Sequence, residues 1–342
     1  MRLRFVVVAA FVLMALAPAY LAYDAGILPG PAQASADDAA GGAPTSRVAS
    51  LAWPEEALGL TATGTTVFWE QRDPKAAVAG LWSYDVRTDR VDRLLDRSLT
   101  GKAAGFPASA GDLVVWAAWV GRRGAGVPRI EAYDTASTRR WTAAQAGRDP
   151  TAAGESVIWI EPNSGGADVI RGVNTLTDEE YVIETGGHVR HVAAWGSWAA
   201  WIVGRGDKAR VWAGSYRVKT RYKLAGAGTA VAVERDRVVW ASAVGRHSSR
   251  LVSWDRKAQS ATVLCRVVGA VSALTLSRNY AAWVTTTEAT GAQVWVYDFA
   301  QGRAFPVAET GARQASPVIV AGSVYWADDR DGDWHLYRRT LR

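Results

Sequence analysis

The chain of 342 residues contains one cysteine, Cys265, and only two methionines and four histidines. A lone thiol cannot form an intramolecular disulfide, and no cysteine stands near the N-terminus to carry a lipid anchor. Cys265 lies in the mostly apolar run 261–268, broken only by Thr262 and Arg266, and is expected as a small buried core residue. Charged residues are also scarce, at 21% against 49% hydrophobic, which excludes a disordered chain. The net charge of +6 is not gathered into a Lys/Arg run, so no nucleic-acid partner is expected. No GxSxG nucleophile elbow is present. Gly226-Ala227-Gly228 lacks the lysine and the following helix of a phosphate loop. What the chain has in excess is tryptophan, 17 residues, alongside 33 glycines. Aromatic and β-branched residues punctuated by glycine favour many short strands.

The first 36 residues read as a targeting segment. Arg2 and Arg4 precede an uncharged apolar run, Phe5 to Ala22, and the small-x-small sites Ala32-Gln33-Ala34 and Ala34-Ser35-Ala36 follow. That is the layout of a signal peptide. The run is also close to the length that spans a bilayer, so an uncleaved N-terminal membrane anchor over residues 5–22 is the alternative. Both place the rest of the chain outside the cytoplasmic membrane, secreted or anchored. Residues 37–46 are small and polar, and form a linker.

From residue 47 to 342 the chain repeats. An apolar pair followed by tryptophan recurs at Trp69, Trp116, Trp159, Trp201, Trp240, Trp283 and Trp326, at intervals of 39 to 47 residues. Just before each mark sits a pair suited to a tight hairpin, such as Gly64-Thr65, Gly111-Asp112 or Arg235-Asp236. After it come a polar loop and a strand ending in Asp: Asp85, Asp134, Asp255 and Asp298, with Asn174 as a variant. Those residues open turns through their side chains. A period of about 40–45 residues with four strands per unit is the pattern of propeller blades. The expected fold is therefore all-β, a seven-bladed β-propeller of four-stranded antiparallel blades. The last unit runs out of chain after its third strand. Residues 47–53 are predicted to supply the fourth, because an open ring would leave a bare sheet edge.

The last unit resembles repeats of the TolB-like β-propeller family. Ser316-Pro317, Gly322, Val324–Trp326, the hairpin Asp329-Arg330-Asp331-Gly332 and Trp334–Tyr337 carry the resemblance, with partial matches at Pro107/Gly111 and Pro150/Gly154. It implies an exported scaffold that binds other proteins; such propellers also occur fused to peptidases and in surface-layer proteins, and this chain leaves no room for a fused catalytic domain. Tyr325-Trp326-Ala327-Asp328 is similar to the YWTD motif of receptor propellers, but no other unit repeats it. Trp254-Asp255 is a lone WD pair.

Candidate chemistry is thin. The acidic hairpin 328–333 has the wrong spacing for a calcium loop, and Arg330 would oppose a cation, so a plain hairpin is expected. His188 and His191, three apart, would face opposite ways on a strand and are expected as solvated loop histidines. The strand-ending aspartates are turn formers and the register tryptophans blade packing. No metal, cofactor or catalytic residue is predicted. The loops expected at the channel mouth are mostly basic: Arg122, Arg123, Arg148, Arg190, Arg205, Arg246, Arg250 and Arg313. A basic rim attracts anionic partners. The expected function is a monomeric, non-enzymatic exported propeller binding an envelope protein or anionic polymer through that face. The alternative is a hydrolase or lyase with its site at the channel mouth.

Overall fold

A computed structural model describes residues 44–51, 59–73, 78–95, 107–118, 127–163, 165–218, 220–224, 227–245 and 247–342. The targeting segment lies outside these residues. The described residues form seven four-stranded antiparallel sheets; six are meanders in chain order, and the seventh joins the last three strands to the first. Labelled a to d, the first strands of the blades touch one another in turn around the ring, so strand a is innermost. Blade 3 comprises Arg148–Ala153, Ser156–Glu161, Val169–Asn174 and Glu180–Glu184; blade 4 comprises Val189–Trp195, Trp198–Val203, Arg210–Ser215 and Arg221–Lys223.

The periodic tryptophans hold the blades together. Each lies in strand b and is at most 6% exposed. Each belongs to a cluster shared with the preceding blade: Trp201 packs with Ile158 and Ile160 of blade 3, and Trp240 with Ala200 and Ile202 of blade 4. Trp69 of blade 1 packs with Val318 and Tyr325 of blade 7, completing the circle. Burial on both faces of a blade explains the unbroken apolar runs of the b strands.

The ring closes as the repeat predicts. Ser46–Ser50 pairs antiparallel with His335–Thr340, bringing Arg47 opposite Tyr337 and Ser50 opposite His335. Leu51 N–H continues the pairing to Trp334 O at 2.8 Å; Trp53, the predicted end of this strand, is outside the described residues. The strand-ending aspartates behave as turn formers. Asp134 Oδ1 accepts the Ala136 and Ser137 amides at 2.9 Å each, and Asp85, Asn174, Asp255 and Asp298 do the same in their blades. In blade 4 Ser215 Oγ takes this place, accepting from Val218 N–H. Cys265 is buried and free, and burial pushes its thiol up to about 12.

One feature has no mark in the repeat pattern. In blades 3 to 7 the pairing of strand a with strand b slips, and Asp149, Ala273 and Ser316 sit there with positive φ. A bulge bends a strand and re-aims its side chains. In blade 3 it turns Asp149 toward the next blade.

Candidate functional site

Loops between strands d and a, and between b and c, emerge on one face, around the channel mouth. On that face, blades 3 and 4 form a shallow, open cavity of about 520 Å³ lined by Arg148, His188, Arg190, Arg205 and Gly206. Arg148 opens strand a of blade 3. His188 closes the loop between blades 3 and 4, Arg190 begins strand a of blade 4, and Arg205 stands in the b–c loop of blade 4.

The backbone holds these residues close. Gly147, just before Arg148, is pressed against its neighbours: a Cβ there would lie 2.5 Å from Trp159 Cδ1. Gly204 adopts φ +93°, which side chains other than glycine's rarely tolerate, and its N–H donates to His188 O at 2.9 Å. This bond ties the loop carrying Arg205 to the loop carrying His188. Beyond it, Lys208 N–H to Arg205 O and Ala209 N–H to Gly206 O form a short 3₁₀ turn.

Beneath the cavity lies a carboxylate that the sequence did not single out. Asp168, in the b–c loop of blade 3, is 6% exposed. Its Oδ2 accepts from Arg148 Nη2 at 2.7 Å and Val189 N–H at 2.7 Å, and stands 2.9 Å from His188 Nδ1. Arg148 Nη2 also donates to Val189 O at 2.6 Å. In the sequence Asp168 is marked by nothing more than its place just before strand c of blade 3.

His191 makes a parallel pair with a different fate. It lies in strand a, and its Nδ1 is 2.8 Å from Asp149 Oδ2, which also accepts Val192 N–H at 2.9 Å. Burial pulls its pKa down, but the Asp149 charge, that hydrogen bond and a bond to the Val231 backbone of blade 5 together raise it above the ordinary histidine value. The Nδ1 bond braces blade 4 against blade 3. The two histidines were expected as solvated loop residues. His188 is a loop residue and His191 is not, and each is fixed by an aspartate of blade 3, because the bulge and the b–c loop bring acids that are distant in sequence beneath them.

Three of the eight predicted arginines, Arg148, Arg190 and Arg205, therefore meet in one place. Arg313 is on the same face in blade 7, but is occupied: its Nε donates to Asp329 Oδ2 at 2.6 Å and its N–H to Asp329 Oδ1 at 2.7 Å. Arg250 lies in strand c of blade 5, away from the cavity lining. Arg122, Arg123 and Arg246 lie outside the described residues. The acidic hairpin is a hairpin, not a cation loop. Asp328 is fully buried and accepts from Arg330, Trp326 and Gln314, while Asp331 accepts from Tyr337.

No family model and no curated protein matches the chain. Solved structures do match. An oligogalacturonate lyase in complex with manganese shares 16% identity at a TM-score of 0.61, covering 91% of this chain and 95% of that one. Oligogalacturonate lyase from Vibrio parahaemolyticus shares 10% identity at a TM-score of 0.60, covering 88% and 94%. The β-propeller domain of the trilobed protease from Pyrococcus furiosus shares 11% identity at a TM-score of 0.59, covering 83% and 93%. TolB from Acinetobacter baumannii is also among the matches. At these identities the likeness is one of fold, and at that level the chain is a seven-bladed β-propeller.

The comparison corrects the functional expectation. A non-enzymatic scaffold was expected because no acid/base pair stood out in the sequence. The two lyases match over nearly their whole length, so in them the enzyme is the propeller and needs no fused domain. The structure also brings a histidine and a carboxylate together that the sequence keeps apart, His188 and Asp168. Manganese is a different matter. Among the described residues no three His, Cys, Asp or Glu side chains come together to hold an ion, and Asp168 is already shared by Arg148 and His188. The chain's residues do not fit that metal, and no step is assigned to one.

Proposed function

We propose that the chain is a lyase acting on a carboxylate-bearing polysaccharide in the cavity of blades 3 and 4. The observation that carries this reading is a cavity combining three arginines with a histidine whose Nδ1 is already engaged. Eliminating across a uronate ring needs two things. A cation must offset the sugar carboxylate, so that the adjacent carbon can give up its proton, and a base must take that proton. Arg190 and Arg205, exposed at the cavity wall, supply the first. His188 supplies the second through Nε2. The C5–H electrons form the C4=C5 double bond as His188 takes the proton, the C4–O bond breaks, and the leaving oxygen takes a proton from water. The anionic polymer first considered as a binding partner becomes the substrate.

The test is to incubate the purified protein with a panel of uronate polymers and oligomers. Appearance of the ultraviolet-absorbing C4=C5 product is expected. New reducing ends without that absorbance would assign a hydrolase, and no cleavage of any polymer would overturn the enzyme reading. Replacing His188 by Ala is expected to lower kcat by about 10²- to 10⁴-fold.

Export belongs to the same proposal. The chain enters the ring at Ser46, paired with Arg338, while Ser50 pairs with His335 next to the b–c loop. The strand therefore starts at the end of the blade away from the cavity face. N-terminal sequencing of the exported protein decides between anchor and cleaved signal: a start at Met1 supports the anchor, a start near Asp37 the signal peptide.

A further inference from the structure

We propose that Asp168 is the positioning residue of this cavity: it fixes His188 in the tautomer that carries its proton on Nδ1 and leaves Nε2 as the acceptor. The kinetic part of this inference rests on the lyase reading; the tautomer itself does not. Asp168 is not among the cavity-lining residues and is nearly fully buried, so it does not reach a substrate. An ionised carboxylate can only accept, and a neutral imidazole has one N–H to give. His188 Nδ1 stands 2.9 Å from Asp168 Oδ2; a bare lone pair on that nitrogen would face an anionic acceptor, so the proton is assigned to Nδ1.

The placement is held from both sides. Asp168 N–H donates to Gly187 O at 3.0 Å. Thr185 Oγ1 donates to Asp168 O at 2.5 Å and lies 3.0 Å from Gly187 O. The loop that carries His188 is thus bonded to the backbone of the residue that orients its ring. Arg148 and the Val189 amide donate to the oxygen that His188 Nδ1 approaches. They fix where that oxygen points, and Arg148 offsets its charge in a site that is mostly closed to water.

The neighbouring pair supplies an internal contrast. His191 is hydrogen-bonded to Asp149 through Nδ1 at 2.8 Å, but it does not line the cavity. Of the two histidine–aspartate pairs, the one with His188 is at the cavity. Arg148 changes meaning as well. Predicted as a partner-binding residue of the rim, it acts through Asp168, whereas Arg190 and Arg205 are the cations that meet a ligand.

The experiment reads the ring nitrogens of His188 by two-bond ¹H–¹⁵N correlation spectra of the whole protein, with the signal assigned by its loss in His188→Ala. The wild type is expected to show Nδ1–H when neutral. Asp168→Asn and Asp168→Ala are expected to populate Nε2–H, to lower kcat on a uronate substrate by about 10²- to 10⁴-fold, and to change KM little. A wild type in the Nε2–H form would overturn the inference, even if neither variant folds. Folded variants that keep the Nδ1–H form and the wild-type kcat would overturn it too. A protein that cleaves no uronate would sink the lyase reading, and the tautomer spectra alone would then decide whether Asp168 positions His188.

Discussion

At the scale of single residues, two histidines give the molecule opposite responses to pH. His191 titrates above the ordinary value in the folded protein, where Asp149 outweighs its burial. Its contribution to stability is fully present below the unfolded value of about 6.5 and is lost as pH rises through the raised folded value. His335, in strand c of blade 7, is shifted the other way, by burial first and by Arg47 second, against nearby aspartates. The unfolded chain then takes up a proton that the folded one refuses, so stability falls as pH drops through about 6.5. Unfolding midpoints measured across that range should separate the two. The advantage of wild type over His191→Asn should shrink toward alkaline pH, and wild type should lose ground to His335→Asn toward acid. Parallel curves for either variant would contradict the assignment of that residue. The chemistry of His188 and His191 was hidden in the sequence because their partners are 20 and 42 residues away. What could be read was the local grammar: Asp85, Asp134, Asp255 and Asp298 bond amides two and three residues on, an interaction that spacing alone specifies.

At the scale of elements, strand b and the closing strand carry the fold. A buried tryptophan that joins two blades is expected to cost about 3–5 kcal/mol when cut to alanine. Trp240→Ala, which empties the layer between blades 4 and 5, should lower the denaturant midpoint with little change in blade content by circular dichroism. An effect near zero would mean that the period marks something other than packing. Strand Ser46–Ser50 is small and mostly exposed, yet without it strand His335–Thr340 would end the sheet as a bare edge. A chain beginning after Leu51 should aggregate or unfold in more than one step, while one beginning at Asp37 should unfold in a single transition; equal behaviour would contradict the closure. Both elements were legible because hydrophobic marks repeat and a ring has to close. The bulges of strand a were not. They fall on residues as unlike as Asp149, Ala273 and Ser316, and nothing local in a sequence marks where pairing will slip.

At the scale of the whole molecule, the two faces of the propeller differ in use. One carries the a–b and c–d turns and receives the chain at Ser46. The other carries the cavity of blades 3 and 4. A uniformly basic rim was the natural reading of the loop composition, since a sequence shows charges and not their neighbours. The fold sorts those charges: Arg313 is occupied by Asp329, Arg148 by Asp168, and Arg190 and Arg205 remain at the cavity wall. Function should follow that sorting and be confined to one sector of the ring. The most direct measurement is the rate of C4=C5 product formation from a uronate oligomer by the wild type, His188→Gln, Arg205→Ala and Arg313→Ala, compared at matched unfolding midpoints. The predicted result is strong loss of kcat for His188→Gln, a raised KM for Arg205→Ala, and a wild-type rate for Arg313→Ala. Turnover that survives His188→Gln, or that falls equally with Arg313→Ala, would contradict the assignment of the site to blades 3 and 4.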